Sequence, residues 1–233
     1  MDTARITAME ILWKQALKTF GGRRNSGYKF SQSNFEKLWS LMNKITAEDV
    51  KLDIHFLDYI KVQPSSMCVM DVFESEDLEI SIFILKQGVT MPMHDHPGMH
   101  GLLKVISGTV EVKSYSTKVS TDNVLRPNEE IPAIRHRPVH VSASSPACIL
   151  TPWDKNLHEI SCLEGPAAFL DILSPPYNVK PGKDSRPCTV FREINSKLYK
   201  DSVEGNEHVK LLIMESPPDI DCINVGYMGP PLQ

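Results

Sequence analysis

Two imidazoles two residues apart, His94 and His96, are the side chains in these 233 residues best placed to do chemistry. They stand in the run Met-Pro-Met-His94-Asp95-His96-Pro97-Gly98-Met99-His100. Side chains at i and i+2 of a strand point to the same face, so this spacing offers two nitrogen donors to one point in space. Neutral imidazole is a good ligand for first-row divalent metals, and a β-scaffold is a rigid way to present it. A third donor must come from elsewhere in the chain.

Two glycines frame the pair. Gly88 precedes His94 by six positions, and Gly108 in Ile106-Ser107-Gly108-Thr109 is expected to close a hairpin beyond it. A glycine, five residues, His-x-His and a later glycine match most of the first cupin motif. The Glu of that motif is missing, because its slot falls on His100 or Gly101. A metal held here is therefore held by histidines alone.

The chain has eight histidines, which bounds the search for the third ligand. His158 lies in Asn156-Leu157-His158-Glu159-Ile160, a strand well downstream, but the loosely kept glycine spacing around Pro152-Trp153-Asp154 leaves it open. His136 and His140, in Arg135-His136-Arg137-Pro138-Val139-His140, read as a solvated loop or strand edge and compete more weakly. His55 and His208 have no partner nearby in sequence and are given no role. His100 could be a fourth ligand, an outer group or a packed core histidine; the reading adopted is a group just outside the ligands, hydrogen-bonding one of them or lining the pocket.

The elements that must carry these residues fall in two parts. Residues 1–50 read as helical, with Ile6, Met9, Trp13, Ala16, Leu17 and Phe20 at helical spacing and a stop at Gly21-Gly22. A second helix is expected to begin at Ser33, with Glu36 completing a capping box and Phe35, Leu38, Trp39, Met42 and Ile45 as its apolar stripe. From residue 66 to 215 the pattern changes to short strands, at 67–72, 78–85, 99–106, 109–115, 147–153, 157–162, 167–173, 189–194 and 209–214. Many short strands with Pro and Gly at the joints predict a mainly β fold, the double-stranded β-helix or jelly roll, with the helices packed outside it. The prolines between 127 and 187 are expected in rigid loops at the barrel mouth. One domain is expected, and residues 217–233 carry no clear signal.

Composition excludes several function classes. The net charge of −4, with mixed signs, carries no nucleic-acid footprint. No apolar run approaches a membrane span, and Met-Asp-Thr-Ala-Arg has no signal-peptide character. Cys68, Cys148, Cys162, Cys188 and Cys222 are odd in number, widely spaced and without a CxxC pair, which argues against a disulfide framework and for a reducing, cytoplasmic setting.

The run His94 to Gly108, Asn156-Leu-His158, Glu164-Gly-Pro-Ala-Ala-Phe-Leu-Asp171-Ile-Leu and Ser174-Pro-Pro-Tyr177 together resemble the cysteamine (2-aminoethanethiol) dioxygenases, a family shared with the plant cysteine oxidases. The resemblance covers most of the chain from the first helix onward. It implies His94, His96 and His158 as ligands of Fe(2+), with Asp171 and Tyr177 beside the substrate. It implies an enzyme adding both atoms of O2 to the sulfur of cysteamine, giving hypotaurine, or of the N-terminal cysteine of peptides and proteins. The second activity couples oxygen to N-degron turnover, and a monomer is implied. Three neutral histidines leave the ion its full double charge and open positions, which suits a thiolate and O2 together. The alternatives are a non-catalytic or zinc-binding three-His cupin. Some animal members form a Cys–Tyr thioether with the tyrosine two positions after the cysteine. Cys188 matches the cysteine, but position 190 is Val, so that crosslink is expected to be absent.

Overall fold

The computed structural model describes residues 6–23, 25–119, 126–182, 184–194, 206–216 and 220–233. Residues 1–5 and 217–219, which bear on the expectations for the two chain ends, lie outside that set.

Among the described residues three α-helices come first: α1 (Ala8–Phe20), α2 (Gln32–Met42) and α3 (Ile54–Val62). In α1, Thr7 caps the start by accepting from the Glu10 N–H at 3.1 Å, and Met9, Leu12, Ala16 and Phe20 form the buried stripe. Gly21 ends the helix where a Cβ would meet the Leu17 carbonyl oxygen at 2.6 Å. Ile6 stays outside the helix and 59% exposed, unlike its place in the expected stripe. The second helix starts earlier than Ser33. Ser31 takes the extended cap conformation and accepts from the Asn34 N–H at 3.3 Å, while Glu36 accepts from Gln32 instead of closing a capping box. The third helix has no counterpart in the sequence reading. Only Leu57 and Ile60 are buried, and exposed Ile54, Tyr59 and Val62 blur its periodicity; Asp53 caps it through the Phe56 N–H at 2.8 Å.

Eleven strands follow among the described residues: β1 (Met67–Glu74), β2 (Glu79–Leu85), β3 (Thr90–Asp95), β4 (His100–Ser116), β5 (Glu130–Arg135), β6 (Val139–Ser142), β7 (Cys148–Leu150), β8 (Leu157–Ser174), β9 (Phe191–Ile194), β10 (Glu207–Ile213) and β11 (Cys222–Asn224). The longest two replace four expected strands. Gly108 does not close a hairpin; it sits inside β4 at φ +71, where register shifts bend the strand and a Cβ would strike the Glu164 carbonyl oxygen at 2.4 Å. The bend lets one strand serve two layers. The first half of β4 and second half of β8 lie between β7 and the run β2, β1 and β11. The other halves lie between β3 and the strands β6, β5, β10 and β9. Two layers sharing continuous strands make the double-stranded β-helix.

Strand alternation divides the core. The helices cover the outer face of the first layer, through Met9, Leu12, Phe20, Leu38, Ile82, Leu102, Leu170 and Ile172. Residues of opposite parity, including Leu103, Val105, Val112, Ile160 and Phe169, fill the space between the layers. Residues 222–224 pair in parallel with β1, and Tyr227 and Leu232 pack on the helical core, so most of the C-terminal segment is part of the fold. Pro132 lies within β5, opposite Lys210 of β10, and not in a mouth loop. Among the described residues no helix is long and apolar enough to cross a membrane.

Candidate metal centre

His94, His96 and His158 converge at one end of the space between the layers, with a nitrogen from each inside a 4.8 Å group. Register accounts for two of them. His94 of β3 pairs with His158 of β8, and paired residues on neighbouring strands share a face. His96 arrives differently. The strand ends at Asp95, and His96 opens the turn behind it, held by its N–H to the Asn156 carbonyl at 2.8 Å. The side chain of Asn156 is buried and fixed to the backbone of Thr117 and Pro152, which anchors the start of β8 just before His158.

Hydrogen bonds fix which nitrogens face inward. His94 Nδ1 donates to the Pro92 carbonyl at 2.8 Å, leaving Nε2 free of a proton. The Tyr177 hydroxyl donates to the Asp95 carbonyl at 2.6 Å, so its oxygen accepts from His96 Nδ1 at 3.1 Å. That leaves His96 Nε2 bare as well. His96 Nε2 and His158 Nε2 stand 3.1 Å apart, close to the separation of two adjacent ligands each about 2.1 Å from one ion. Burial lowers the pKa of all three rings, and the positive charge each would carry lowers His96 and His158 further. Neutral imidazoles are what a metal requires, so the donor set fits a divalent ion.

Asp95, between His94 and His96, accepts the Thr189 N–H at 2.8 Å, and burial pushes its carboxyl up to about 7. Val190 forms a bridge with His94, so the position two beyond Cys188 lies alongside one of the three histidines. Tyr177 is held well above the ordinary phenol pKa, by burial first and then by neighbouring Cys188 and Asp95. It works as a neutral hydroxyl.

Asp171 of β8 pairs with Leu103, which lines a cleft of about 620 Å³ that reaches His158. The carboxyl is 7% exposed and its Oδ1 has no hydrogen-bond partner. Burial, then the charge of Glu79, pushes it up to about 8. Val112, Val141, Cys148 and Leu150 supply apolar walls to the same cleft.

The family model PCO_ADO matches residues 41–232 of this chain. The chain belongs to the PCO_ADO family. The family assignment agrees with relatives that match most of the chain. A 2-aminoethanethiol dioxygenase of Homo sapiens is 34% identical over 219 residues, covering 84% of this chain and 80% of that protein. The Mus musculus protein of the same name is also 34% identical, covering 84% of each chain. Plant cysteine oxidase 1 of Arabidopsis thaliana is 29% identical, covering 81% of this chain and 64% of that protein.

The remaining sequence candidates separate from this centre. His100 does not hydrogen-bond any of the three histidines: its ring stacks on Phe30 at 4.3 Å, and its Nδ1 accepts from Arg23 at 3.2 Å. His136 bonds Ser116, and His140 is on the cleft wall beside Glu111. His55 and His208 are exposed. Sequence reasoning missed Asn156 and the Pro92 carbonyl. Asn156 sits two residues before His158, but its bonds to Thr117 and Pro152 depend on tertiary approach and leave no local pattern.

Proposed function

We propose that this protein is an iron(II)-dependent thiol dioxygenase, adding both atoms of O2 to the sulfur of a 1,2-aminothiol to give a sulfinic acid. The observation that carries the reading is the set of three uncharged, convergent imidazoles, with an unpartnered buried carboxyl on Asp171, the strand partner of the cleft residue Leu103. Ferrous iron bound by His94, His96 and His158 supplies thiol activation and the redox chemistry that joins O2 to sulfur. The stoichiometry, one thiol and one O2 to one sulfinic acid, needs no further reductant.

The chain's own groups set up the reactants. The Pro92 carbonyl and Tyr177 lock the tautomers of His94 and His96, so neither ring turns a proton toward the donor point. Asp171 receives the substrate ammonium, which supplies the donor its Oδ1 lacks. Leu103, Val112 and Leu150 limit water beside the reacting sulfur. The names of the human, mouse and plant relatives support both cysteamine and cysteine as substrates. A cleft of about 620 Å³ is far larger than cysteamine needs and supports the N-terminal cysteine of a polypeptide, with oxygen sensing through N-degron turnover as the consequence. Five unpaired cysteines support a reducing, cytoplasmic setting, and the protein acts as a monomer in this reading.

Reconstitution tests the metal. Metal-free protein given ferrous iron consumes O2 in step with cysteamine loss. Protein given zinc does not; equal turnover with zinc would refute the reading.

A further inference from the structure

We propose that Glu79 forms, with Asp171, a two-carboxylate subsite for the substrate's ammonium group, so that selection of an aminothiol over a plain thiol is set on β2 as well as β8. The proposal rests on the thiol dioxygenase reading above and adds a residue that the sequence motifs did not single out.

The register places the pair. Ser81 of β2 stands opposite Asp171 of β8 and Glu79 opposite Leu173, so Glu79 and Asp171 are diagonal neighbours on one face of an antiparallel pair. Diagonal positions are within reach of each other for long side chains. That face is the inner one. Phe83 and Phe169, of the same alternation, stack at 5.4 Å between the layers. Leu173 packs with Met99, Leu150 and Tyr177 at the end of the barrel that holds His96. Ser81 donates to Glu79 Oε1 at 3.0 Å, which fixes the second carboxylate on the strand pair it shares with Asp171.

Two carboxyls side by side in a desolvated place are each held partly protonated, and a cation placed between them lets both ionise. Among the described residues no basic side chain acts on either group: Asp171 is influenced by burial, Glu79 and the Ile172 backbone, and Glu79 by burial, the Ser81 hydroxyl, Glu74 and Asp71. The nearest lysine in sequence register, Lys104, alternates to the outer face and spends its ammonium on the Ala143 and Ser145 carbonyls. Asp171 Oδ1 remains buried without a donor. A primary ammonium brings one positive charge and three N–H donors, enough to engage both carboxylates at once. A thiol without an amine leaves both as they are.

The test uses the iron-loaded full chain and Glu79→Gln, which keeps shape and the Ser81 contact. Cysteamine is the substrate and ethanethiol, which lacks the amine, a competitive inhibitor. The KM for cysteamine is expected to rise about tenfold or more, while the ethanethiol inhibition constant and kcat hold. Glu79→Asp, which restores the charge, is expected to recover much of the lost preference. An unchanged cysteamine KM overturns the subsite, as does a parallel loss of affinity for both thiols. Wild-type protein that consumes no cysteamine defeats the underlying function and the subsite with it; wild-type turnover with an indifferent Glu79→Gln defeats the subsite alone.

Discussion

His96 and His100 stand four residues apart at two ends of one turn, and the fold treats their rings in opposite ways. The His96 ring is 1% exposed, has its Nδ1 proton directed to Tyr177, and presents Nε2 to two other imidazoles. The His100 ring is closed off from that centre. It stacks on Phe30, meets Phe20 and Phe35, and takes donors from Arg23, which also binds the Gly98 carbonyl. Burial and Arg23 push its pKa down to about 4, so it too is neutral. Neutrality therefore does not distinguish a ligand from a packing residue. What distinguishes them is what the rings face: His96 turns Nε2 to the His94 and His158 nitrogens, whereas His100 offers its Nδ1 lone pair to Arg23 and stacks in the helical layer.

The largest expected effect separates the two regions outright. His96→Ala or His158→Ala is expected to abolish metal binding and thiol-dependent O2 uptake, whereas His100→Ala retains a full complement of iron by elemental analysis. An iron-replete His158→Ala protein would show that the ligand set is wrong. Tyr177→Phe comes next. Losing the hydroxyl frees the His96 tautomer, and iron affinity measured by chelator competition is expected to fall about 10–100-fold; an unchanged affinity would leave Tyr177 as packing only.

Asp171→Asn gives a prediction in pH. The Asp171 carboxyl is held at about 8 in the fold, chiefly by burial, against about 3.9 in an unfolded chain. Between those values the unfolded chain binds fewer protons, so this group's stabilising contribution is complete below about pH 4 and is lost as pH rises toward 8. Denaturant midpoints of the metal-free wild type should thus fall more steeply from pH 5 to 8.5 than those of Asp171→Asn. Equal slopes would contradict the assigned burial. Turnover of iron-loaded Asp171→Asn is expected to drop with iron content intact. The smallest effect belongs to the helical side: Arg23→Ala leaves the His100 and Gly98 acceptors unpaired and is expected to cost about 1–3 kcal/mol of stability while iron content stays full.

Much of this contrast was legible in the sequence, and the failures have physical causes. Alternating apolar residues and the glycine frame identified a jelly roll, because strand faces impose a local period. Gly108 was misread because a positive-φ glycine suits a hairpin and a strand bend equally well; only the pairing of β4 with β8 on both sides of it decides. The short α3 escaped because tertiary contact buries only Leu57 and Ile60. At the centre, His94 and His96 followed from spacing, but His158 came with the family resemblance, since its pairing with His94 is a long-range register. His100 was placed beside the ligands because sequence distance stood in for direction, and the stacking on Phe30 reverses it. Glu79 left no motif, its meaning resting on the diagonal to Asp171.

The central claim is oxygen transfer to the sulfur of an aminothiol at the three-histidine centre. Its most direct test loads the protein anaerobically with ferrous iron, then admits O2 with cysteamine and a Cys-initiated peptide in parallel. Mass spectrometry is expected to show a gain of about 32 Da, two oxygen atoms at the sulfinic acid level, on both substrates. No gain on either, with iron bound in full, would contradict the account.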